Sequence, residues 1–303
     1  MISLLQVQKF RGKTGDNMAD KNYLHTAYAN SADGTDGFTT VYPNLNLLVN
    51  SSAKTKDGFF KNFDKVENGY GEVTMKGTNT WVTKDLGDGF SIQPRNYKPG
   101  DKYTMSMDVM FTSWKLPAGT TITEFWLGQR YFGGSGKHIC SIDLPKDPSK
   151  MLNQWIRITQ TSTIPPYDDP SVGTQAIFTV GFFGPSEGSF TIRVRKPKQE
   201  EGSVATPHMP SASEVTTADW PKFVGTYVDT NQTSSTEPSK YDWDEMKYRV
   251  YLDGVPVGGS KLLSFDLENL KAGTSYNVQV SQINGNVESD KSESVAFKTT
   301  LPK

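Results

Sequence analysis

Residues 178–210, FTVGFFGPSEGSFTIRVRKPKQEEGSVATPHMP, constrain the fold of this chain more than any other stretch. Phe178, Val180 and Phe182 alternate with small or polar residues, and Phe190, Ile192 and Val194 repeat the alternation after Gly184-Pro185 and Gly188. Apolar patterning of period two on both sides of a Gly/Pro turn is the pattern of a β-hairpin with one buried face. Beyond Arg195, Pro197, Gly202, Pro207 and Pro210 stop any regular element from continuing. One β-domain therefore ends here, and a different segment begins.

Upstream, residues 44–212 read as one long β-domain. The phenylalanines Phe59, Phe60 and Phe63 follow an Asp57-Gly58 turn. Candidate strands are GEVTMKG (71–77), TWVTKDL (80–86), GFSIQP (89–94), KYTMSMDVMF (102–111), TITEFWLGQRY (121–131), HICSIDL (138–144) and WIRITQTST (155–163). With the hairpin this makes eight to ten short strands at the spacing of a sandwich or jelly roll, and no helix-period segment of any length interrupts them. The fold class is all-β.

Composition narrows the function classes. Gly 27, Pro 17, 12% aromatic residues and a mean hydropathy of -0.54 suit strands and turns. A net charge of -1 gives no electrostatic case for nucleic acid or an acidic membrane surface. No apolar run approaches the ~20 residues of a membrane span. The opening MISLLQVQKFRGKTG is too polar for a secretory signal, so none is expected. With Cys140 as its single cysteine, the chain has no internal disulfide.

The flanks carry their own pattern. YLHTAYA (23–29) is a candidate strand followed by the turn cluster NSADGTDG (30–37), and FVGTYVD (223–229) is a second short alternating strand. If these two pair, the ends of the 44–212 domain lie close together, as domain insertion requires. The expected division is an attachment segment, 1–43, pairing with 213–246; the domain 44–212; and a C-terminal segment, 247–303. The apolar patch Ile2 to Val7 is expected to dock, with the small split domain, on another protein.

Three resemblances cover most of the chain. With Pro99-Gly100 before Tyr103, Trp155 opening WIRITQT, and the closing IRVRKPKQEEGSVATPHMP, residues 44–212 resemble jelly-roll carbohydrate-binding modules of phage tail proteins. The pair YLHTAYANSADGTDGFTTVYP and WPKFVGTYVDTNQTSSTEPSKYDW resembles the two parts of a small tail-protein cassette, here separated by that domain. YRVYLDGVPVG through LKAGTSYNVQVSQING resembles the later strands of a fibronectin type III domain. As a set these resemble baseplate or tail accessory proteins of lactococcal-type siphophages of Gram-positive hosts. The resemblance implies a virion protein made in the host cytoplasm and acting at the host cell surface. Its implied partners are other baseplate proteins and a host cell-wall polysaccharide or peptidoglycan, with no nucleic acid and no membrane.

A saccharide offers apolar C–H faces and a rim of hydroxyls, so its site needs an aromatic platform beside planar polar groups. Candidates are Trp81, Tyr97, Trp114, Trp126, Tyr131 and Phe132, with Gln93, Arg95, Gln129 and Arg130 as polar partners. The densest mixture is WLGQRYF (126–132), so Trp81, Trp114, Trp126, Gln129, Arg130 and Tyr131 form the expected site. Trp155 and Tyr103 read as framework. Phe125 and Trp126 are adjacent, so one points inward and the other outward. The final hairpin reads as core framework, with the ligand elsewhere.

Catalysis has no constellation to carry it. His25, His138 and His208 are scattered; His138 and Cys140, two apart on one strand, are too few for zinc and read as a core pair. No cofactor is expected. A structural calcium ion, which jelly-roll sugar-binding modules often carry, would draw on Asp57, Asp64 and Glu67 or on Asp168 and Asp169; solvated acidic loops are the preferred reading. The leading functional expectation is a baseplate protein that binds cell-wall saccharide and assists adsorption. The rival is a spacer that keeps the fold without a site.

Overall fold

The computed structural model describes residues 22–88, 96–117, 122, 124–132, 138–166, 175–183 and 186–300. The chain divides into two compact units, one formed by residues 1–43 and 216–303 and the other by residues 44–215. The second is thus inserted into the sequence of the first.

In chain order the first unit opens with β1 (Tyr23–Ala29) and β2 (Phe38–Thr39). The inserted unit follows with β3 (Lys65–Glu67), β4 (Tyr70–Lys76), β5 (Trp81–Gly87), β6 (Lys102–Lys115), β7 (Phe125–Phe132), β8 (His138–Asp143), β9 (Ile156–Thr163), β10 (Gln175–Phe183) and β11 (Ser189–Glu201). The first unit then resumes with β12 (Phe223–Asp229), β13 (Asp242–Glu245), β14 (Tyr248–Leu252), β15 (Val255–Ser260), β16 (Ser275–Asn284), β17 (Val287–Glu288) and β18 (Val295–Lys298).

The inserted unit is a jelly-roll-like sandwich of two antiparallel sheets, ordered β5-β10-β7-β8 and β3-β4-β11-β6-β9. Alternation decides what enters the core: Val73 and Met75 from β4, Met105, Met107 and Val109 from β6, Phe178, Val180 and Phe182 from β10, and Phe190, Ile192 and Val194 from β11. The aromatic group before β3 closes one end. Phe59 and Phe60 meet edge-on at 4.8 Å, and Phe59 lies 4.2 Å from Phe178. Gly71 and Gly87 are small because Phe60, Phe63 and the Gly58–Phe59 backbone occupy the space of a side chain.

The chain enters and leaves this unit side by side. Asn46 bridges Ser211. Its N–H donates to Pro210 O (3.1 Å) and its Nδ2 to Pro197 O (2.7 Å), while its Oδ1 accepts from Gln199 N (3.0 Å). Glu214 accepts from Ser211 Oγ (2.8 Å) and Ser52 Oγ (2.9 Å). Beneath lies an ion pair, Lys198 Nζ to Glu200 Oε2 at 3.2 Å, with both side chains 0% exposed. Lys198 also donates to Thr206 Oγ1 (2.5 Å) and Pro207 O (2.8 Å), and Glu200 accepts from Thr206 N (2.9 Å). A register shift between Arg195 and Lys198, with Lys196 at φ 47, re-aims the strand into this cluster.

Next to it, His208 carries a buried Nε2 with no hydrogen-bond partner. Burial, reinforced by Arg157, Lys198 and Lys196, pushes its pKa down to about 4. A cation with a depressed folded-state pKa stabilises the fold above its ordinary value of 6.5 and loses that contribution as pH falls to about 4. The inserted unit should therefore lose about 1–3 kcal/mol more over that interval than a His208→Leu variant does. Equal pH slopes in denaturant titrations of the two proteins would contradict this.

The first unit holds two sheets, ordered β13-β12-β1-β2 and β15-β14-β16-β17, with β18 also on β16. β1 and β12 pair antiparallel along their whole length, from Tyr23↔Asp229 to Ala29↔Phe223. His25 stacks on Tyr227 at 4.5 Å and bonds Asn231 O at 2.8 Å. Tyr42 stacks on Trp220 and accepts from Arg249 Nε (3.0 Å), whose guanidinium also pairs with Glu288. Residues 247–303, read from sequence as a segment of their own, thus lie in one unit with β1, β2, β12 and β13. The Ile2 to Val7 patch and GFSIQP fall outside the described residues.

Candidate functional site

The outer face of the sheet β5-β10-β7-β8 is where aromatic and polar groups converge. On β7, Phe125 and Leu127 enter the core, so Trp126, Gly128 and Arg130 face outward. The Trp126 indole lies over Gly181 of β10, where any Cβ would overlap the ring. Around it stand Trp81 (centroids 6.4 Å apart) and His138 (4.2 Å), and Trp81 in turn meets Phe183 at 6.1 Å. Trp81 is 45% exposed and Phe183 38%. These two rings offer apolar surface to solvent, while Trp126 packs against Trp81.

A polar group borders the rings. Arg130 Nε donates to Thr179 Oγ1 (3.1 Å), its Nη2 to Asp85 Oδ1 (3.2 Å), and Thr179 Oγ1 donates to the same oxygen (3.1 Å). This holds the guanidinium and carboxylate in fixed orientations beside the rings. Burial, reinforced by the Arg130 charge, lowers the His138 pKa below its ordinary 6.5, so its imidazole is neutral at pH 7. Flat apolar rings next to fixed donors and acceptors suit a sugar ring and its hydroxyls.

Comparison with known proteins places the chain. A chain in the structure of the tripod (BppUct-A-L) from the baseplate of bacteriophage Tuc2009 is 88% identical to it, over 94% of this chain and 100% of that one, with a TM-score of 0.88. The chain belongs to this family of phage baseplate proteins. Residues 55–197 match the family model described as BppA domain 1 (CBM_4_9_1), and residues 221–279 match the minor structural protein 5-like C-terminal domain. No curated protein matches. A beta-1,2-glucanase from Parabacteroides distasonis, 15% identical with a TM-score of 0.26 over 94% of this chain and 37% of that one, is too unlike it to carry an argument. The protein is a structural component of the virion baseplate.

Of the site residues expected from sequence, this baseplate protein brings Trp81, Trp126 and Arg130 to one face. Trp114 and Gln129 lie elsewhere. Trp114 is half-buried against Phe111, Phe125 and Phe190. Gln129 is fully buried, accepting from Gln199 Nε2 (2.8 Å) and Tyr97 Oη (3.3 Å). Its strand position, two after Leu127, turns it into the core. Tyr97, a candidate platform, is likewise 0% exposed. The Tyr131 and Phe132 side chains, and Gln93 and Arg95, fall outside the described residues.

Two expectations are corrected. His138 and Cys140 do not share a face: a register shift at Gln129/Arg130 leaves Cys140 in the core and His138 against Trp126. The hairpin is not framework alone, because Phe183 reaches the candidate face. The signal was present in the sequence, since adjacent Phe182 and Phe183 must point to opposite sides.

The carboxylates considered for calcium are each engaged with a protein partner. Asp57 accepts from Gly58 N, Asp64 pairs with Lys84, and Glu67 pairs with Lys65 at 2.6 Å. Among the described residues, no group of three His, Cys, Asp or Glu is gathered for a metal. Asp168 and Asp169 lie outside the described residues.

Proposed function

We propose that the inserted unit binds a neutral stretch of host cell-wall saccharide and so assists adsorption, while the first unit attaches the protein to other baseplate proteins. The observation that carries this is the exposed Trp81–Phe183 platform braced by Trp126 and bordered by the Arg130–Asp85–Thr179 group. The match of residues 55–197 to a model bearing a carbohydrate-binding-module name supports it. The reading is binding without cleavage: the carboxylate beside the rings, Asp85, is committed to Arg130 and Thr179. One such face binds weakly, and several copies on one virion make attachment effective.

The test is a binding titration of the full chain against cell-wall polysaccharide from a Gram-positive host. Wild type should bind, and a Trp81→Ala/Phe183→Ala variant should bind about tenfold or more weakly, since stacking on each ring contributes about 0.5–1.5 kcal/mol. No binding by wild type would mean that the unit is a spacer, and equal binding by the variant would remove this face from saccharide recognition.

A further inference from the structure

The opposite surface of the inserted unit, the outer face of β3-β4-β11-β6-β9, carries a second constellation. Phe190, Ile192 and Val194 of β11 enter the core, which turns Thr191, Arg193 and Arg195 outward. The Arg193 guanidinium lies 4.6 Å from the Tyr70 ring centroid, and that of Arg195 lies 4.1 Å from Trp155. Each is pinned through Nε alone, Arg193 by Glu72 (2.6 Å) and Arg195 by Asp108 (3.1 Å). Among the described residues, neither makes a hydrogen bond through its terminal Nη atoms. The two side chains are 31% and 37% exposed.

Two guanidinium groups thus lie over aromatic rings, held by carboxylates, with their forked ends unused. The two rings beneath them, Tyr70 and Trp155, lie 6.3 Å apart centroid to centroid, so the two forks are neighbours on one face. Arg157 shares Asp108 (3.1 Å) but is otherwise engaged by Lys196 O and Ser106 Oγ, and Glu67 beside Tyr70 pairs with Lys65, so Arg157, Arg193, Arg195 and Lys65 face Glu67, Glu72 and Asp108 and one positive charge is in excess. Exposed ion pairs add little to stability, so the fold itself does not require this arrangement. A rigid fork that offers parallel N–H donors matches a tetrahedral oxyanion.

We infer that Arg193 and Arg195 form a second binding face for a polymer carrying phosphodiester groups, each fork taking one phosphate. Nucleic acid is the less suited phosphodiester: single strands bind by stacking bases on open aromatic rings, and here guanidinium groups cover Tyr70 and Trp155. The face is separate from the neutral-saccharide platform and does not depend on it.

The experiment titrates the full chain with poly(glycerol phosphate), and in parallel arms with polygalacturonate and an oligothymidylate. Wild type should bind poly(glycerol phosphate) best, more weakly as salt rises, and be displaced by inorganic phosphate. Arg193→Ala/Arg195→Ala should bind about tenfold or more weakly, with binding of the neutral cell-wall polysaccharide unchanged. Arg193→Lys/Arg195→Lys keeps the charge but loses the fork; it should fall several-fold and decides the matter if the alanine pair does not fold. Binding undiminished in a folded alanine pair or in the lysine pair would overturn the proposal. So would tighter binding of polygalacturonate or oligothymidylate.

Discussion

Replacing Lys198 with alanine should destabilise the inserted unit by about 3–5 kcal/mol, because it leaves the Glu200 carboxylate buried without its partner. The pair itself is not a large source of stability. Burial pushes the Lys198 pKa down to about 8, against the pull of Glu200. Desolvation therefore outweighs attraction for the charged form. The contribution of this depressed group is complete above its ordinary 10.5 and diminishes as pH falls to about 8. A Lys198→Met/Glu200→Leu double variant should therefore lie close to wild type, with each single change far below it. Denaturant unfolding of the full chain reads both. A single variant within about 1 kcal/mol of wild type would show that Thr206 and the neighbouring carbonyls satisfy the remaining charge unaided.

Gly181→Val should abolish measurable binding of the neutral polysaccharide while leaving the sheet intact. Gly181 lies mid-strand between β5 and β7, where valine is a favourable strand residue. Its side chain would occupy the space of the Trp126 indole, which must then leave the sheet and release Trp81 and His138. Crowding of this kind costs about 1–3 kcal/mol, so the unit remains folded. The loss of binding should equal or exceed that of Trp81→Ala. Unchanged affinity in a folded Gly181→Val protein would remove Trp126 from any part in recognition.

The sandwich was legible because its strands are short, alternate strictly and end at Gly or Pro. The periodicity that sends Phe178, Val180 and Phe182 inward also sends Phe183 outward, so one hairpin serves both the core and the candidate face. Where the period breaks, the reading failed. The shift at Gln129/Arg130 separates His138 from Cys140, and no residue type there announces it. Gln129 and Tyr97 look like ligand-binding groups in sequence because polar and aromatic residues suit a sugar. In the fold they bond one another and Gln199 inside the core, with Gln129 Nε2 left without a partner among the described residues, and such pairing between distant segments is invisible along the chain. Beyond Arg195 the prolines and glycine predict that no element continues, yet β11 runs on to Glu201, and Lys198 and Glu200 are interior because residues 206 and 207 fold back to bond them.

The clasp of Asn46 with Pro197, Gln199 and Pro210 also bears on how such proteins diversify. A module whose two junctions with the rest of the polypeptide sit together, and whose closing bonds are all its own, is a natural unit of genetic exchange. Recombination at codons just outside residues 44 and 215 would replace the proposed saccharide-binding surface in one step. The strand pairing of Tyr23–Ala29 with Phe223–Asp229 would pass unaltered to the hybrid. Under the proposed function, saccharide preference would then change by cartridge replacement, with the strand pairing of the first unit held constant.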